Sequence, residues 1–519
     1  METRASPETV SPPVPTVGNA SPVGRALDRL SEVELWTWLL LTLVAAWTAY
    51  FTRRSLDIHH GLGTSSFDSA LYDQGVWLLS RFDSPYVTLM GRNLFGDHAS
   101  YVLLLMVPLY WVFPAAGTMF FAQSLVIALG AVPVYLVARR RLDSGPLAVA
   151  MAAVYLLHPA VSWTNLENFH PDSFVAVFVG FAIYAALERR WRIYAVSVAL
   201  ALLVKEDVSL VVVPLGVWVA LKRDRRFGAI TVAASVVLTL LSMFVVMRGL
   251  TGVPTRNTWR IPFGGPWELI ETTLTNPTQL LDHLRSDGRL WYLWQMTIPV
   301  ALMFLRKPGV AAISFLVLFT NVLSTFWYQY HIQYHYSLIA VPALVIGAVD
   351  ALGAIPRAGV QLPRTPSLVL VMLAAVLAAY TWAPLPWSQI ELAYWAPSHP
   401  VAEAARDILV EVPSDAVVSA HYRITPHLAH RREIYQFPNP FRIVLYGSDV
   451  SLEGSRHEVR AERVEYLVLQ RDKSPEDEAD WELIAPAFEL VEANESWELY
   501  RRLPDEPLPA IPTVAAEGG

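Results

Sequence analysis

The chain contains no cysteine, and only four of its 39 basic residues are lysines: Lys205, Lys222, Lys307 and Lys473. Without cysteine there can be no disulfide bond, no thiolate metal site and no cysteine nucleophile. No basic tract suited to nucleic acid occurs, so we expect no nucleic-acid partner. The motifs GxGxxG, HExxH, GxSxG and the P-loop are also missing, which removes the usual signs of nucleotide binding and of hydrolase chemistry.

Apolar residues are abundant instead: 54% of the 519 residues are hydrophobic, and the mean hydropathy is +0.36. Repeated apolar runs match the length needed to span ~30 Å of hydrocarbon. We therefore predict an all-α polytopic protein of the plasma membrane, in contact with the lipid bilayer. The predicted crossings lie at 35–51, 118–138, 146–163, 173–187, 193–219 (two arms), 227–247, 290–305, 310–326, 336–351 and 368–382.

Arginine clusters orient these crossings, because cytoplasmic span ends carry an excess of basic residues. Arg25 and Arg29 precede the first crossing, and further clusters lie at 139–141, 189–192 and 222–226. The pattern predicts about eleven crossings, a cytoplasmic N-terminus and an extracytoplasmic C-terminus.

Two apolar stretches do not fit a single crossing. Residues 193–219 are interrupted by Lys205, Glu206 and Asp207, and both ends of the stretch are basic. We predict two short helices that meet near the outer face, with the three charged residues at the bend. Residues 101–113 would invert every later crossing, so we predict a re-entrant or interfacial segment there.

The composition divides the chain into domains. Residues 1–30 and 504–519 are predicted disordered tails, and the first of them is rich in Pro, Ser and Thr. Residues 31–387 form the predicted transmembrane domain, with external loops at 53–98 and 248–289. Residues 388–503 are predicted to form a small extracytoplasmic α/β domain, with a helix at 401–409, strands at 416–420 and 466–470, and a hairpin at 488–501.

The first external loop carries the most suggestive residues, since residues 65–98 include Asp68, Asp73, Asp97 and His98. Asp68 and Asp73 lie about 140° apart on a regular helix, so Asp68 is expected in a loop and Asp73 in the first turn of a helix. Carboxylates at a membrane boundary favour acid–base chemistry on a lipid-borne substrate. The alternative is a solvated surface loop.

The predicted topology gathers further ionisable residues on the outer side. Lys205 with Glu206 and Asp207 is either a functional group or an internal ion pair that orients the helices. His331 and His335, four positions apart, could face one way on a helix and bind a divalent metal or a phosphate, or simply pack in an aromatic belt. In the C-terminal domain, His421, His427 and His430 are either structural or metal ligands. The complete outer set is Asp68, Asp73, Asp97, His98, Glu167, His170, Asp172, Lys205, Glu206, Asp207, His331 and His335.

Several motifs occur in order along the chain: FDSALYDQGVWLL, DH, NFHPD, LLVKEDVSL, YQYHIQYHYS and AHYRITPHLAHRREIY. They resemble an uncharacterised family of bacterial polytopic membrane proteins, a domain of unknown function, over roughly residues 35–503. That family is similar in layout to the GT-C glycosyltransferases, which take a sugar from a polyprenyl-phosphate carrier at the outer face. The resemblance implies that Asp68 or Asp73 is the catalytic base and that Lys205 lies near the carrier phosphate. The WWD-type signature of oligosaccharyltransferases is missing, which argues against asparagine glycosylation.

Glycosyl transfer of this kind needs a carboxylate to accept the acceptor's proton and positive charge for the leaving phosphate. Lys205, the histidines or a divalent metal would supply that charge. We therefore predict a membrane glycosyltransferase that moves a polyprenyl-phosphate-linked sugar to an envelope acceptor. The alternatives are a lipid or polysaccharide transporter, in which broken helices build the binding site, and a non-catalytic envelope assembly protein.

Overall fold

The computed structural model of the chain describes residues 34–252, 258–355, 364–509 and 513–514. The predicted tail at 1–30 and half of the one at 504–519 lie outside these residues. Helices dominate up to residue 382, as expected for a polytopic membrane protein. They are Leu35–His60, Leu71–Ser80, Leu94–Asp97, Val107–Val112, Ala116–Leu129, Ala131–Leu142, Gly145–Leu157, Pro159–Leu166, Val175–Leu187, Trp191–Leu202, Ser209–Lys222, Arg225–Leu241, Arg248–Thr251, Pro266–Thr275, Pro277–Arg285, Arg289–Thr297, Phe315–Leu323, Val341–Ala354 and Arg364–Trp382.

Five of the described helices are long and apolar enough to cross a membrane, and a bent pair brings the number to six. Other predicted crossings are shorter apolar helices. The multi-pass character is therefore confirmed, while the number of eleven crossings and the orientation of the termini stay predictions. The five long helices are Leu35–His60, Ala116–Leu142, Arg225–Thr251, His335–Ala354 and Thr365–Trp382.

Some boundaries differ from the predicted ones. The first helix continues to His60, so the external loop expected from residue 53 begins only at Gly61. The crossing expected at 146–163 bends by 50° before Pro159, which begins a new helix. The one expected at 290–305 is not a continuous helix, because Ala301 and Leu302 adopt left-handed backbone angles (φ +51° and +54°) that end the helical path.

The break predicted within 193–219 is confirmed. Trp191–Leu202 ends before Lys205, whose backbone is extended, and a short turn at Glu206–Val208 leads into Ser209–Lys222. Residues 101–113 lie beside this break, since the Val102 N–H donates to the Leu203 carbonyl (2.8 Å). That segment is a 3₁₀ turn and a short helix; its eleven helical residues would span ~20 Å, too little to cross alone.

A buried carboxylate ties three elements together at the opposite end of the bundle from His335. Asp350, in Val341–Ala354, pairs with Arg141 (Oδ1 to Nε 3.1 Å) and Lys307 (Oδ2 to Nζ 2.7 Å). Asp350 follows His335 by fifteen residues, which is about 22 Å along a helix. Under the predicted topology this cluster lies at the cytoplasmic side.

The first outer loop contains strands as well as helix, which corrects the all-α expectation. An irregular turn at Ser66–Ala70 precedes the helix Leu71–Ser80. Strand β1 (Tyr86–Val87) then pairs antiparallel with β2 (Arg92–Asn93). Two-residue strands have no detectable alternation in sequence, which is why pattern reasoning missed them.

The C-terminal domain has the expected α/β character and hairpin. Its sheet has the strand order β4 (Ile434–Gln436), β3 (Val418–Ala420), β6 (Tyr466–Gln470), β8 (Trp497–Arg502) and β7 (Phe488–Ala493). Strands β3, β4 and β6 are parallel, whereas β6, β8 and β7 are antiparallel. Because β3, β4 and β6 run in the same direction, their carboxyl ends lie at the same edge of the sheet. The elements are the helices Pro400–Val410, Glu458–Arg463 and Pro475–Ile484 and the strands β3 (Val418–Ala420), β4 (Ile434–Gln436), β5 (Arg456–His457), β6 (Tyr466–Gln470), β7 (Phe488–Ala493), β8 (Trp497–Arg502) and β9 (Thr513–Val514).

The outer loop and the C-terminal domain share an interface. Thr88 pairs with Ile434 at the edge of the sheet: its hydroxyl donates to the Ile434 carbonyl (2.8 Å) and accepts from the Ile434 N–H (2.9 Å). The buried Gln74 side-chain amide donates to the carbonyls of Arg431 (3.2 Å) and Arg432 (3.3 Å). The sheet is thereby fixed against the loop that carries the first aspartates.

Candidate active site

A cavity of about 570 Å³ lies where the first outer loop, the helix breaks and the C-terminal domain meet. Four carboxylates, three cationic side chains and three histidines face it, together with several aromatic rings. Removing so many charged groups from water costs free energy in a membrane protein, and such groups usually mark a functional site. The ionisable residues are Asp68, Asp97, Glu167, Asp172, Arg92, Lys205, Arg260, His98, His170 and His335.

Asp68 occupies a strained turn at the cavity wall. Its backbone angles of φ +70° and ψ −72° are those of a γ-turn, which non-glycine residues rarely adopt. Asn168 holds the turn, because its side-chain oxygen accepts from the Ser65 N–H (3.2 Å) and the Ser69 hydroxyl (2.9 Å). Burial raises the pKa of the Asp68 carboxyl, although His170 partly opposes this. The Asp68 side chain is still 38% exposed, so a substrate can reach it.

Glu167, His170 and His335 form a cluster next to Asp68. Glu167 Oε2 accepts from the His335 N–H (2.8 Å), lies 3.1 Å from His335 Nδ1 and 3.4 Å from His170 Nε2, and the two imidazoles stack with centroids 3.7 Å apart. His170 Nδ1 is 3.9 Å from Asp68 Oδ1. Burial alone would lower the pKa of His170, but the carboxylates of Glu167 and Asp68 outweigh it and raise that pKa to about 9. The ring is therefore cationic at neutral pH.

A buried glutamine positions this cluster. Gln123, fully buried in Ala116–Leu129, donates to the carbonyls of Asn165 (3.1 Å) and Asn168 (2.7 Å) and accepts from the His170 N–H (2.9 Å). Its side-chain amide thus satisfies the backbone of an irregular loop that no helix or strand can satisfy. Sequence reasoning missed Gln123, although a side-chain amide inside the apolar run 118–138 was the available signal.

Lys205 lines the cavity, and its side chain is only 5% exposed. Its Nζ is 3.6 Å from Asp172 Oδ2 and 3.4 Å from Asp207 Oδ2, and it sits 5.7 Å from the centre of the Tyr336 ring. Both carboxylates lie within ion-pair distance of the Lys205 ammonium group. The ammonium group remains charged, and both of its interpretations, ion pair and substrate ligand, are compatible with this geometry.

Other charged side chains near Lys205 and the cavity form pairs with each other. His98 Nδ1 lies 2.7 Å from Glu206 Oε1, and the other oxygen of Glu206 accepts from the Ala99 N–H (3.1 Å). Asp97 pairs with Arg92 at 2.7 Å. Glu206 and Asp207 do not line the main cavity but a neighbouring one of about 360 Å³ on the other side of Lys205.

Arg92 and Arg260 are cavity residues that sequence reasoning missed. Arg260, from the loop at 248–289, contacts the Phe326 ring (4.2 Å to the centroid) and donates to the Tyr336 hydroxyl (3.3 Å). In each arginine the Nε is buried and has no hydrogen-bond partner among the described residues. Only tertiary structure could have distinguished these two from the other arginines of this chain.

Two predicted site residues lie elsewhere. Asp73 is buried outside the main cavity, where its Oδ1 accepts from the Tyr110 hydroxyl (2.6 Å) and lies 2.8 Å from His430 Nε2. His331 does not share a helix with His335, because the chain forms separate 3₁₀ turns at Trp327–Tyr330 and His335–Ala340; its Nδ1 lies 2.7 Å from the Trp327 carbonyl. The expected common face of the two histidines is therefore wrong.

The Glu167, His170 and His335 side chains could hold a metal ion. Their ligand atoms all lie within 4.8 Å of one another, and the buried His170 Nε2 has the 3.4 Å contact with Glu167 but no well-aligned hydrogen bond in the described part of the chain. Two imidazoles and one carboxylate form a donor set that suits zinc and other transition metals. The residues thus fit a divalent cation, which would have to displace the proton of His170.

The family described as "Predicted membrane protein (DUF2079)" matches residues 58–506. ArnT from Cupriavidus metallidurans is structurally similar in its undecaprenyl phosphate complex (TM-score 0.53, 13% identity, covering 91% of this chain and 99% of ArnT) and in its apo state (0.53, 13%, 89% and 98%). The arabinofuranosyltransferase AftD from Mycobacteria matches with TM-score 0.43 and 15% identity, covering 88% of this chain and 41% of AftD. A comparison with the curated proteins finds no match. The similarity to ArnT confirms the expected GT-C-like fold.

Proposed function

The chain belongs to the DUF2079 family of predicted membrane proteins, and from that premise we propose that it is a membrane glycosyltransferase. It would move a sugar from a polyprenyl-phosphate carrier to an acceptor in the cell envelope, at the outer face of the plasma membrane. The fold is similar to that of ArnT, whose structure contains bound undecaprenyl phosphate.

One observation carries the proposal: an accessible carboxylate and three cationic side chains face the same cavity. Asp68 lies in a strained turn at the wall, whereas Lys205, Arg92 and Arg260 line the same space. A carboxylate and a group of cations are what a sugar transfer from a lipid phosphate needs, one for a proton and the other for a leaving anion.

The step can be written from the residues present. Asp68 accepts the proton of an acceptor hydroxyl while that oxygen forms a bond to the anomeric carbon. The bond from this carbon to the carrier's phosphate oxygen breaks, and the phosphate leaves with the electron pair. Lys205, Arg92 and Arg260 stabilise the negative charge that develops there. A raised pKa makes Asp68 a stronger base than an ordinary carboxylate, provided that it stays ionised at the working pH.

Asp73 has no role in this proposal, because its carboxylate is engaged by Tyr110 and His430 away from the cavity. The remaining predicted residues have supporting roles. Asp172 and Asp207 hold the ammonium of Lys205, and the His98–Glu206 pair fixes the wall next to it. A divalent ion held by Glu167, His170 and His335 would supply further positive charge next to the carrier phosphate.

The test is consumption of lipid-linked sugars by the full chain in phosphatidylcholine nanodiscs. We expect the wild-type protein to consume at least one of a panel of polyprenyl-phosphate sugars. Asp68→Asn keeps the size of the side chain but cannot accept a proton, so turnover should fall about 10²- to 10⁴-fold while the carrier-linked sugar still binds.

Asp83→Asn is the matched control in the same loop. Asp83 pairs with Arg432 at the surface (3.3 Å), and such exposed pairs contribute about 0–1 kcal/mol, so turnover should remain near wild type. Equal turnover of Asp68→Asn and wild type would remove Asp68 from catalysis. If the wild-type protein consumes none of the panel, the transferase proposal fails and the transporter alternative gains support.

A further inference from the structure

A second cavity lies in the C-terminal domain, away from the residues of the candidate active site. It measures about 530 Å³, within the ~300–1,000 Å³ range of small-molecule sites. Its walls come from the carboxyl ends of the parallel strands: His421 follows β3, Phe437 follows β4, and Asp472 lies just beyond β6. Open sheets with parallel strands bind ligands at this edge, where the loops diverge.

The charges around this cavity disfavour an anionic ligand. Lys473 is already neutralised, because its Nζ lies 2.7 Å from Glu498 and 3.8 Å from Glu478. Asp472 and Asp477 line the cavity without a salt bridge among the described residues. The helix Pro475–Ile484 begins here, but three acidic residues occupy its first turn and cancel the attraction that a helix N-terminus has for phosphate.

The neutral polar groups suit a ligand with many hydroxyls. Gln436 and Gln470 line the cavity, and each offers both a donor and an acceptor from a side chain that bonds no other described residue. His421 Nδ1 accepts from the Arg423 N–H (3.3 Å), which places the proton of the neutral ring on Nε2. Burial keeps this ring neutral, since it lowers the pKa of His421 to about 4. Tyr422 and Phe437 add aromatic surface.

We infer that this cavity is a second binding site of the protein, for an uncharged carbohydrate unit. The carboxylates of Asp472 and Asp477 accept hydrogen bonds from sugar hydroxyls, and the side-chain amides of Gln436 and Gln470 both donate and accept them. The aromatic rings cover the apolar face of a sugar. The inference concerns binding alone and does not depend on the proposed transfer reaction.

The site is connected to the first cavity through one short segment. The Ser66 hydroxyl donates to the Tyr422 carbonyl (3.2 Å) and lies 2.7 Å from the Thr425 hydroxyl. Tyr422 borders the second cavity, whereas Ser66 begins the turn that carries Asp68. A sugar bound at the sheet edge would contact Tyr422, whose carbonyl accepts from the first residue of the turn that carries Asp68.

Saturation-transfer NMR on the full chain in phosphatidylcholine nanodiscs tests this inference, since sugar-headed detergents would occupy the site. The probes are the methyl glycosides of glucose, galactose, mannose and arabinose, with glucuronate and inorganic phosphate as anionic comparisons. We expect saturable binding of at least one glycoside and no binding of the two anions by this cavity. Asp472→Asn and Gln470→Ala should each weaken glycoside binding about tenfold, as expected for one lost hydrogen bond to a charged or buried group.

Asp407→Asn, an exposed carboxylate on Pro400–Val410, is the matched control and should bind like wild type. Because Asp472 is exposed, its substitution does not threaten folding, which a thermal-unfolding measurement would verify. The inference is overturned if no glycoside binds, if binding is unaffected by Asp472→Asn and Gln470→Ala, or if phosphate competes at this cavity. Binding requires no lipid-linked sugar, so its failure and the failure of the transferase proposal are separate results.

Discussion

Lys205 offers the sharpest test of whether the buried charges serve structure or substrate. In Lys205→Met the apolar stem remains and the ammonium is lost, which leaves Asp172 (side chain 2% exposed) without its cation. Removing one member of a buried ion pair costs about 3–5 kcal/mol. Asp207 adds little to this cost, because its side chain is 36% exposed and water can replace the lysine. The single variant should therefore be destabilised, which by itself does not distinguish the two roles.

The double variant Lys205→Met/Asp172→Asn distinguishes the structural role of Lys205 from a role in binding the carrier phosphate. It removes one positive and one negative charge, so the net charge of the cavity is unchanged and no buried charge lacks its partner. We expect the thermal midpoint to return close to wild type. If Lys205 contacts the carrier phosphate, a charge-assisted hydrogen bond worth about 1.5–3 kcal/mol is still missing, and the affinity for polyprenyl phosphate should fall roughly 10- to 150-fold.

The assay is displacement of a fluorescent polyprenyl phosphate from the protein in nanodiscs, with thermal unfolding measured on the same samples. Lys307→Met/Asp350→Asn is the control for carrier binding, because it deletes a second lysine–aspartate pair far from the cavity, together with the contact between Asp350 and Arg141. It should bind the carrier like wild type. Carrier affinity of Lys205→Met/Asp172→Asn within twofold of wild type would refute the phosphate role and leave Lys205 a structural residue.

Three further outcomes follow from the structure. Asp73→Ala should lower the free energy of unfolding by roughly 2–5 kcal/mol, because one buried and one partly buried hydrogen bond are lost, yet the folded variant should bind carrier normally in the displacement assay. Burial opposes protonation of His98, but Glu206 outweighs it and raises the pKa of His98, so this pair stabilises the fold below about pH 6.5 and loses that contribution as the pH rises through the folded pKa. The thermal midpoint of His98→Gln should thus differ most from wild type near pH 6 and approach it at alkaline pH. Reporter fusions after Arg226 and Gly519 should read cytoplasmic and extracytoplasmic, and a cytoplasmic signal at Gly519 would contradict the predicted topology.

The break at Lys205 shows what sequence reasoning could reach. Three consecutive charges in an apolar stretch cannot be packed in hydrocarbon, so a break there follows from solvation alone. The same argument predicted that Asp68, His170 and Asp172 lie on the outer side of the membrane, and all three line one cavity in the structure. Hydropathy and charge thus predict which residues must avoid lipid.

Which of those residues face each other depends on backbone details that periodicity does not contain. His331 and His335 have helical spacing, yet tight turns separate their side chains. Asp73 is on the predicted helix, but a histidine 357 positions later engages its carboxylate. Arg260 reaches the cavity from a distant loop, where no local pattern marks it.

The contacts between the outer loop and the C-terminal sheet have a consequence for how this protein can be divided. Thr88 forms hydrogen bonds with Ile434 at the sheet edge, and the Gln74 side chain donates to the carbonyls of Arg431 and Arg432. The Ser66 hydroxyl donates to the Tyr422 carbonyl. A chain truncated before the soluble domain would lose these hydrogen bonds, each of which contributes about 0.5–1.5 kcal/mol net, and would expose the loop surface that the domain covers. The boundary near residue 387 is therefore a change in composition and not a seam for independent folding: the turn that carries Asp68 should melt together with the sheet, as one cooperative unit.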